Sequence, residues 1–128
     1  LAAMLEALPE FNLELHESHH LQKLDSPSGT ALQTVQDLLS LSTRYRQWSP
    51  ELSDNPQVLP VISHRKDGEV GTHTLRATSD FEQITLEHKA NHRRAFGGGA
   101  VLAAEWLKQR KGFFSVDDYY NSLWGGVR

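Results

Sequence analysis

The sequence of 128 residues predicts a fold of the α+β (α/β) class, in which a four-stranded mixed sheet is covered by one helix and followed by C-terminal helices. Two patterns indicate this fold. Apolar and polar residues alternate over positions 11–15, which is typical of a strand with one buried face. Apolar residues then recur at the spacing of one helix face: Ala31, Leu32, Val35, Leu38 and Leu39.

A turn joins this first strand to the first helix. Pro27 disfavours a helical conformation at Ser26, and Ser28 is a preferred N-cap residue. We therefore expect the helix to begin at Ser28 or Gly29, with His19 and His20 just beyond the end of the strand.

The rest of the sequence predicts three more strands and a further helix. Residues 49–57 have the proline and asparagine content of a loop. Strands are expected over three segments: 58–65, 70–78 and 82–90. A helix ending near Lys111 is predicted by four spaced apolar residues: Ala100, Val101, Ala104 and Leu107. Residues 113–124 form a strongly apolar tail, and the spacing of Ala2, Leu5 and Leu8 predicts that the sequence opens in the end of a helix.

Composition limits the classes of function. A net charge of −3 with a pI near 6.2 argues against nucleic-acid binding, which usually requires a basic face. The absence of cysteine excludes disulfides and thiolate metal sites. No apolar run is long enough to cross a membrane and no signal-peptide pattern is present, so we expect a soluble cytoplasmic protein.

The most informative stretch places proton-transfer groups beside a helix N-terminus. His19, His20 and Lys23 lie within five residues, immediately before the turn. The first amides of a helix have no intrahelical partner, so the amides of Gly29 and Thr30 can bind a carboxylate or phosphate. The plainer alternative is that Ser28 only caps the helix. Helix capping does not explain the crowded histidines and lysine, so we favour an active site.

Other titratable residues have plainer interpretations. The strand histidines His64, His73 and His88 are expected to be surface or hydrogen-bonded residues. His16, His19 and His20 lack the spacing and the carboxylates of a metal site, so no metal is expected. Asp25 is expected to orient Lys23 or to cap the turn.

These motifs resemble those of the dihydrodipicolinate reductase family. The resemblance covers most of the chain and is carried in order by residues 17–32 (ESHHLQKLDSPSGTAL), 62–65 (ISHR), 69–74 (EVGTHT), 86–90 (LEHKA), Arg93 and 96–100 (FGGGA). Ser26 stands where alanine is more usual in the family, which is a small-for-small change.

The resemblance implies a function and a set of site residues. The family reduces 4-hydroxy-tetrahydrodipicolinate with NADH or NADPH in lysine and diaminopimelate biosynthesis, and it forms homo-tetramers through its sheets. His19 and Lys23 match the proton-transfer residues of the family. Five residues match positions around the substrate carboxylates or the domain junction: His20, Ser28, Gly29, Thr30 and Arg93.

The same resemblance implies a missing part. No Gly-x-Gly-x-x-Gly follows a strand, so the Rossmann domain that holds the nicotinamide cofactor is absent from this sequence. We therefore expect residues 1–128 to be the C-terminal substrate-binding and oligomerisation domain of a longer reductase, with residues 94–128 packing on the missing domain. A free-standing dicarboxylate-binding or assembly module without redox activity remains the alternative.

Overall fold

The computed structural model describes residues 6–124, which divide into two compact units at the bond between Asn91 and His92. The described part of the first unit holds five strands and one helix: β1 (Asn12–His19), α1 (Gly29–Leu41), β2 (Gln47–Ser49), β3 (Val58–Arg65), β4 (Gly71–Thr78) and β5 (Gln83–Ala90). The described part of the second unit holds two helices: α2 (Arg94–Leu107) and α3 (Val116–Trp124).

The strands form one mixed sheet in the order β2-β3-β1-β4-β5. β3 runs parallel to β1 and β2, whereas β4 is antiparallel to β1 and β5. The predicted α+β class and mixed sheet are confirmed, but the predicted count of four strands was wrong. The additional strand, β2, has only three residues, which is too short for a detectable alternation. Only its last residue, Ser49, falls in the loop predicted over residues 49–57.

The core lies between α1 and the central strands. Leu15, on β1, is paired with Val61 on β3 and Leu75 on β4, so the three side chains form one apolar row across the sheet. All three are buried, and they belong to one cluster with Ala31, Val35 and Leu38 of α1. The alternation at positions 11–15 therefore identified the helix-facing side of β1.

Most predicted boundaries are confirmed to within one residue. α1 begins at Gly29 with Ser28 as its N-cap, and β3 spans the predicted segment. β5 differs from expectation because its side chains are mostly exposed, with Leu86 60% exposed. β5 is an edge strand. The helix α1 contacts β1 and β3, which lie farther along the sheet from β5.

The second unit departs further from the sequence prediction. α2 begins at Arg94, well before the expected apolar residues, because the run Gly97–Gly99 adopts helical geometry in spite of its low helix propensity. The helix ends at Leu107 and not near Lys111, and Gly112 follows with a φ of 131°. The apolar tail contains α3. The predicted helix at the start of the sequence lies mostly outside the described residues; Leu8, its last residue, is not helical, and its carbonyl accepts the amide of Phe11 at 3.1 Å.

Within residues 6–124, neither α2 nor any other helix has the length and apolar character needed to cross a bilayer.

Arg44 and Tyr45 form hydrogen bonds with the backbone at the start of β1. The guanidinium of Arg44 donates to the carbonyls of Phe11 (2.9 Å) and Pro56 (3.1 Å). The buried hydroxyl of Tyr45 accepts the amide of Leu13 at 2.8 Å. This amide precedes the first β1–β3 pair, which joins Leu15 to Val61. The hydroxyl of Tyr45 thus accepts the amide of Leu13 in place of a carbonyl from a neighbouring strand.

We expect Tyr45→Phe to lower the free energy of unfolding by about 1–3 kcal/mol, because a buried amide loses its acceptor. Urea denaturation measures this change. Tyr120→Phe removes the same atom from a side chain that is 44% exposed and should leave the free energy of unfolding nearly unchanged. Equal losses in the two variants would contradict the role of Tyr45.

Candidate active site

The strand register places a polar row directly beside the apolar core. Two residues after Leu15, Glu17 of β1 is paired with Ser63 of β3 and His73 of β4. Because side chains two residues apart share a face, these three polar groups lie on the same side of the sheet as the core. The sheet therefore changes from apolar to polar along one face.

Glu17 is the centre of this row and is only 1% exposed. Its Oε1 accepts the backbone amide of Ser28 at 2.9 Å and the hydroxyl of Ser63 at 2.7 Å. Burial alone would raise the pKa of Glu17, but the hydrogen bonds from Ser28 and Ser63 outweigh it and hold that pKa below its usual value. Glu17 is therefore a buried carboxylate that stays ionised.

Two histidines face the other oxygen of this carboxylate. Oε2 of Glu17 lies 3.6 Å from Nδ1 of His19 and 3.6 Å from Nε2 of His73. The two rings meet edge to face, with centroids 5.2 Å apart. Burial lowers the pKa of both imidazoles; Glu17 raises the pKa of His19, whereas Lys23 and Arg65 lower it. Burial thus favours the neutral imidazole, and at His19 the carboxylates of Glu17 and Asp25 oppose it.

The turn before α1 completes the polar end of the sheet. The hydroxyl of Ser28 accepts the amide of Ala31 at 3.2 Å and also lies 3.2 Å from Nε2 of His73. Among the described residues, no protein acceptor binds the amides of Gly29 and Thr30. A Cβ placed on Gly29 would meet no atom within 4 Å, so open space lies in front of the turn. These amides are available to an anion.

The loop between β1 and α1 is held by paired charges. The ammonium of Lys23 donates to both carboxylate oxygens of Asp25 at 2.8 Å, which confirms that Asp25 orients Lys23. This contact is the main cause of the lowered pKa of Asp25. Arg65, at the end of β3, donates to the backbone carbonyls of Lys23 (3.2 Å) and Asp25 (2.7 Å). These hydrogen bonds connect the loop between β1 and α1 to the end of β3.

The structure brings part of the predicted site together. His19, Ser28 and the Gly29–Thr30 amides lie at one end of the first unit, and Lys23 acts electrostatically on His19. His20 follows β1 directly, and its carbonyl accepts the amide of Lys23 at 3.2 Å. Arg93 belongs to the second unit, and its predicted substrate contact stays a prediction.

Sequence reasoning missed Glu17, His73 and Arg65 as members of this site. His73 is hydrogen-bonded, as a strand histidine was expected to be, but its partner is the N-cap Ser28. One signal was available for Glu17. The alternation that buries Leu13 and Leu15 continues to position 17, so it predicts a carboxylate on the buried face.

Among the clefts that border the described part of the first unit, two bear on where the site lies. A cleft of about 230 Å³ adjoins the site and is lined by Thr30 and His73 among mainly apolar side chains. The larger cleft, about 430 Å³, lies at the opposite end of β1 around Asn12 and Tyr45, away from the histidine cluster. The chemistry therefore lies beside the smaller one.

One set of side chains has the composition of a metal site. Glu17, His19 and His73 offer one carboxylate oxygen and two imidazole nitrogens within 4.8 Å of one another. Burial and the cations Lys23 and Arg65 lower the pKa of His19, whereas Glu17 and Asp25 raise it. The absence of a metal at this position stays a prediction.

Comparison with known proteins identifies the family. Residues 1–120 match the family model described as "Dihydrodipicolinate reductase, C-terminus". The chain belongs to the dihydrodipicolinate reductase family. A curated relative from Christiangramia forsetii, a 4-hydroxy-tetrahydrodipicolinate reductase, is 37% identical over 123 residues, which cover 96% of this chain and 51% of the relative. The reductase of Natronomonas pharaonis is 39% identical over 128 residues, covering 91% and 49%.

A solved structure supports the fold assignment. The dipicolinate-bound dihydrodipicolinate reductase of Paenisporosarcina sp. TG-14 superposes with a TM-score of 0.62 at 23% identity, covering 88% of this chain and 48% of that chain. The chain thus spans about half the length of the reductases that it matches.

We expect the chain to lose stability as the pH falls below about 6.5, the ordinary pKa of histidine. Because burial lowers the pKa of His19 and His73 in the folded state, the unfolded state binds more protons between that lowered pKa and 6.5. Urea denaturation between pH 7 and pH 5 should show a slope of up to about 1.4 kcal/mol per pH unit for each histidine.

His73→Gln should flatten this slope, whereas His92→Gln, at an exposed position in the second unit, should not. A pH dependence that is the same in His73→Gln and in the unsubstituted chain would rule out this explanation.

Proposed function

We propose that this chain forms the substrate-binding half of an enzyme that reduces 4-hydroxy-tetrahydrodipicolinate to tetrahydrodipicolinate with NADH or NADPH. One observation carries the proposal: the available amides of Gly29 and Thr30 lie at the same end of the sheet as the buried His19. The structural relative is described as dipicolinate-bound, which is the ligand chemistry that such a site requires. The reaction belongs to lysine and diaminopimelate biosynthesis and places the enzyme in the cytoplasm.

The site holds the substrate through its carboxylates. The amides of Gly29 and Thr30 donate to one carboxylate, and the helix dipole of α1 adds a favourable field for negative charge. The hydroxyl of Ser28, the imidazole of His20 and the ammonium of Lys23 complete the polar contacts. The resemblance to the family adds Arg93 to the proposed substrate contacts.

Proton transfer is assigned to His19 and Lys23. Reduced nicotinamide supplies a hydride when bound, and we propose that it is held by a nucleotide-binding domain outside these 128 residues. His19 then donates or accepts a proton at the substrate ring, and Lys23 is the second acid. Binding of a dicarboxylate raises the pKa of both groups through its negative charge and so favours their acidic forms.

We expect the chain to bind pyridine-2,6-dicarboxylate, a planar substrate mimic, while having no reductase activity of its own. Calorimetric titration in the presence of EDTA measures the affinity. Lys23→Ala should weaken binding about 10-fold to 100-fold, the cost of losing a hydrogen bond from a charged donor.

Lys111→Ala provides a matched control because it removes an exposed lysine of the second unit. Unchanged affinity in Lys23→Ala would refute the assigned role of Lys23. Absence of binding by the unsubstituted chain would favour an assembly module without a dicarboxylate site.

We also propose that the chain assembles as a homo-tetramer through its sheets. α1 covers one face of the sheet, and no other helix in the described part of the first unit covers the opposite face. That face carries the stacked rings of His16 and His64, with centroids 5.7 Å apart, and the half-buried Arg76. Sheet packing between copies of the chain would bury this surface.

Light scattering at micromolar concentration should give the mass of a tetramer. Because the proposed contacts lie in the sheet, the chain without residues 113–128 should still form an assembly of four chains. A monodisperse monomer would overturn the proposal, and loss of the tetramer on deletion would assign assembly to the tail.

A further inference from the structure

We propose that Glu17 is a positioning residue for proton transfer: its Oε2 receives the Nδ1–H of His19, which leaves Nε2 as the atom that exchanges a proton with the substrate. This inference rests on the proposed function. It assigns a role to a buried carboxylate that the proton-transfer scheme above does not use.

Two buried atoms without hydrogen-bond partners face each other across the site. Among the described side chains, Oε2 of Glu17 and Nδ1 of His19 are both fully buried and have no partner within hydrogen-bond distance. The two atoms are 3.6 Å apart. A movement of less than about 1 Å brings them to the separation of a charge-assisted hydrogen bond. Catalytic hydrogen bonds commonly shorten in this way when substrate binds.

His73 competes only weakly for the same oxygen. Its Nε2 is also 3.6 Å from Oε2 of Glu17, but it has a closer partner in the hydroxyl of Ser28 at 3.2 Å. The other oxygen of Glu17 is occupied by the amide of Ser28 and the hydroxyl of Ser63. The remaining acceptor capacity of the carboxylate is therefore directed to His19.

This contact selects one tautomer of the acid. A neutral imidazole carries a single N–H, so a bond from Nδ1–H to Glu17 leaves the lone pair on Nε2. When His19 is protonated, Nε2–H becomes the transferable proton, and Glu17 stabilises the imidazolium. The arrangement has the logic of a carboxylate that orients a catalytic histidine.

The charges around His19 make Glu17 necessary for its acidic form. The cations Lys23 and Arg65 lower the pKa of His19, as does its burial, whereas Glu17 and Asp25 raise it. His73 adds a second imidazole at ring contact. Glu17 is the only one of these groups that is both anionic and buried against the ring. Without it, the protonated form of His19 would be populated only at lower pH.

The test uses the complete enzyme and the variant Glu17→Gln. The amide retains an oxygen for Ser28 and Ser63, but its NH₂ group cannot accept a proton from Nδ1. We expect kcat to fall about 100-fold or more, by analogy with the loss when an orienting carboxylate becomes an amide. The limb of the kcat profile that requires protonated His19 should move to lower pH, while affinity for pyridine-2,6-dicarboxylate changes by less than about threefold.

Glu51→Gln is the control, since Glu51 is an exposed carboxylate in the loop before β3 and has no contact assigned at the site. It should preserve both kcat and the pH profile. A Glu17→Gln enzyme with an unchanged pH profile would overturn the proposal, as would a loss confined to KM.

A measurement on the unsubstituted enzyme covers the case in which Glu17→Gln does not fold. Nitrogen-15 chemical shifts should show neutral His19 protonated at Nδ1, and the Nε2–H tautomer would refute the inference. Failure of the proposed function would be seen in a separate assay, in which the unsubstituted enzyme would not reduce 4-hydroxy-tetrahydrodipicolinate. The tautomer measurement does not depend on that activity.

Discussion

The site depends on one ionised carboxylate buried beside the apolar core. A buried carboxylate without partners is costly, so Glu17 requires donors, and the amide of Ser28 and the hydroxyl of Ser63 provide them. The acceptor and its two donors come from three separated parts of the chain: β1 carries the acceptor, the turn before α1 supplies one donor and β3 supplies the other. Satisfying this single charge therefore fixes the position of the turn relative to the sheet.

The two functions of the site are joined through the same group. Oε1 of Glu17 holds the turn whose free amides suit a carboxylate, and Oε2 faces the imidazole that suits proton transfer. Substrate anchoring and acid-base chemistry thus share a fixed geometry. A displacement of Glu17 would disturb both, which distinguishes it from residues such as Ser63 that act on the carboxylate alone.

Local features of the site could be predicted from sequence, whereas the contacts across the sheet could not. The start of α1 follows from Pro27 and Ser28, which act within one turn, and the structure confirms it. The pairing of Glu17 with His73 joins residues 56 positions apart through a register that no local pattern specifies. β2 was missed because three residues carry too little periodicity. The exposure of Leu86 was missed because it depends on which strands α1 covers.

Under the proposed function, local charge and not net charge would hold the dianionic substrate. The net charge is −3, so long-range attraction of a dicarboxylate is weak and is further screened by salt. Lys23 and Arg65 act electrostatically on His19, and the first turn of α1 adds amide dipoles without adding net charge. Asp25 pairs with Lys23 and offsets part of its charge. Such a field acts on a carboxylate once it enters, and recognition depends on placement more than on attraction from a distance.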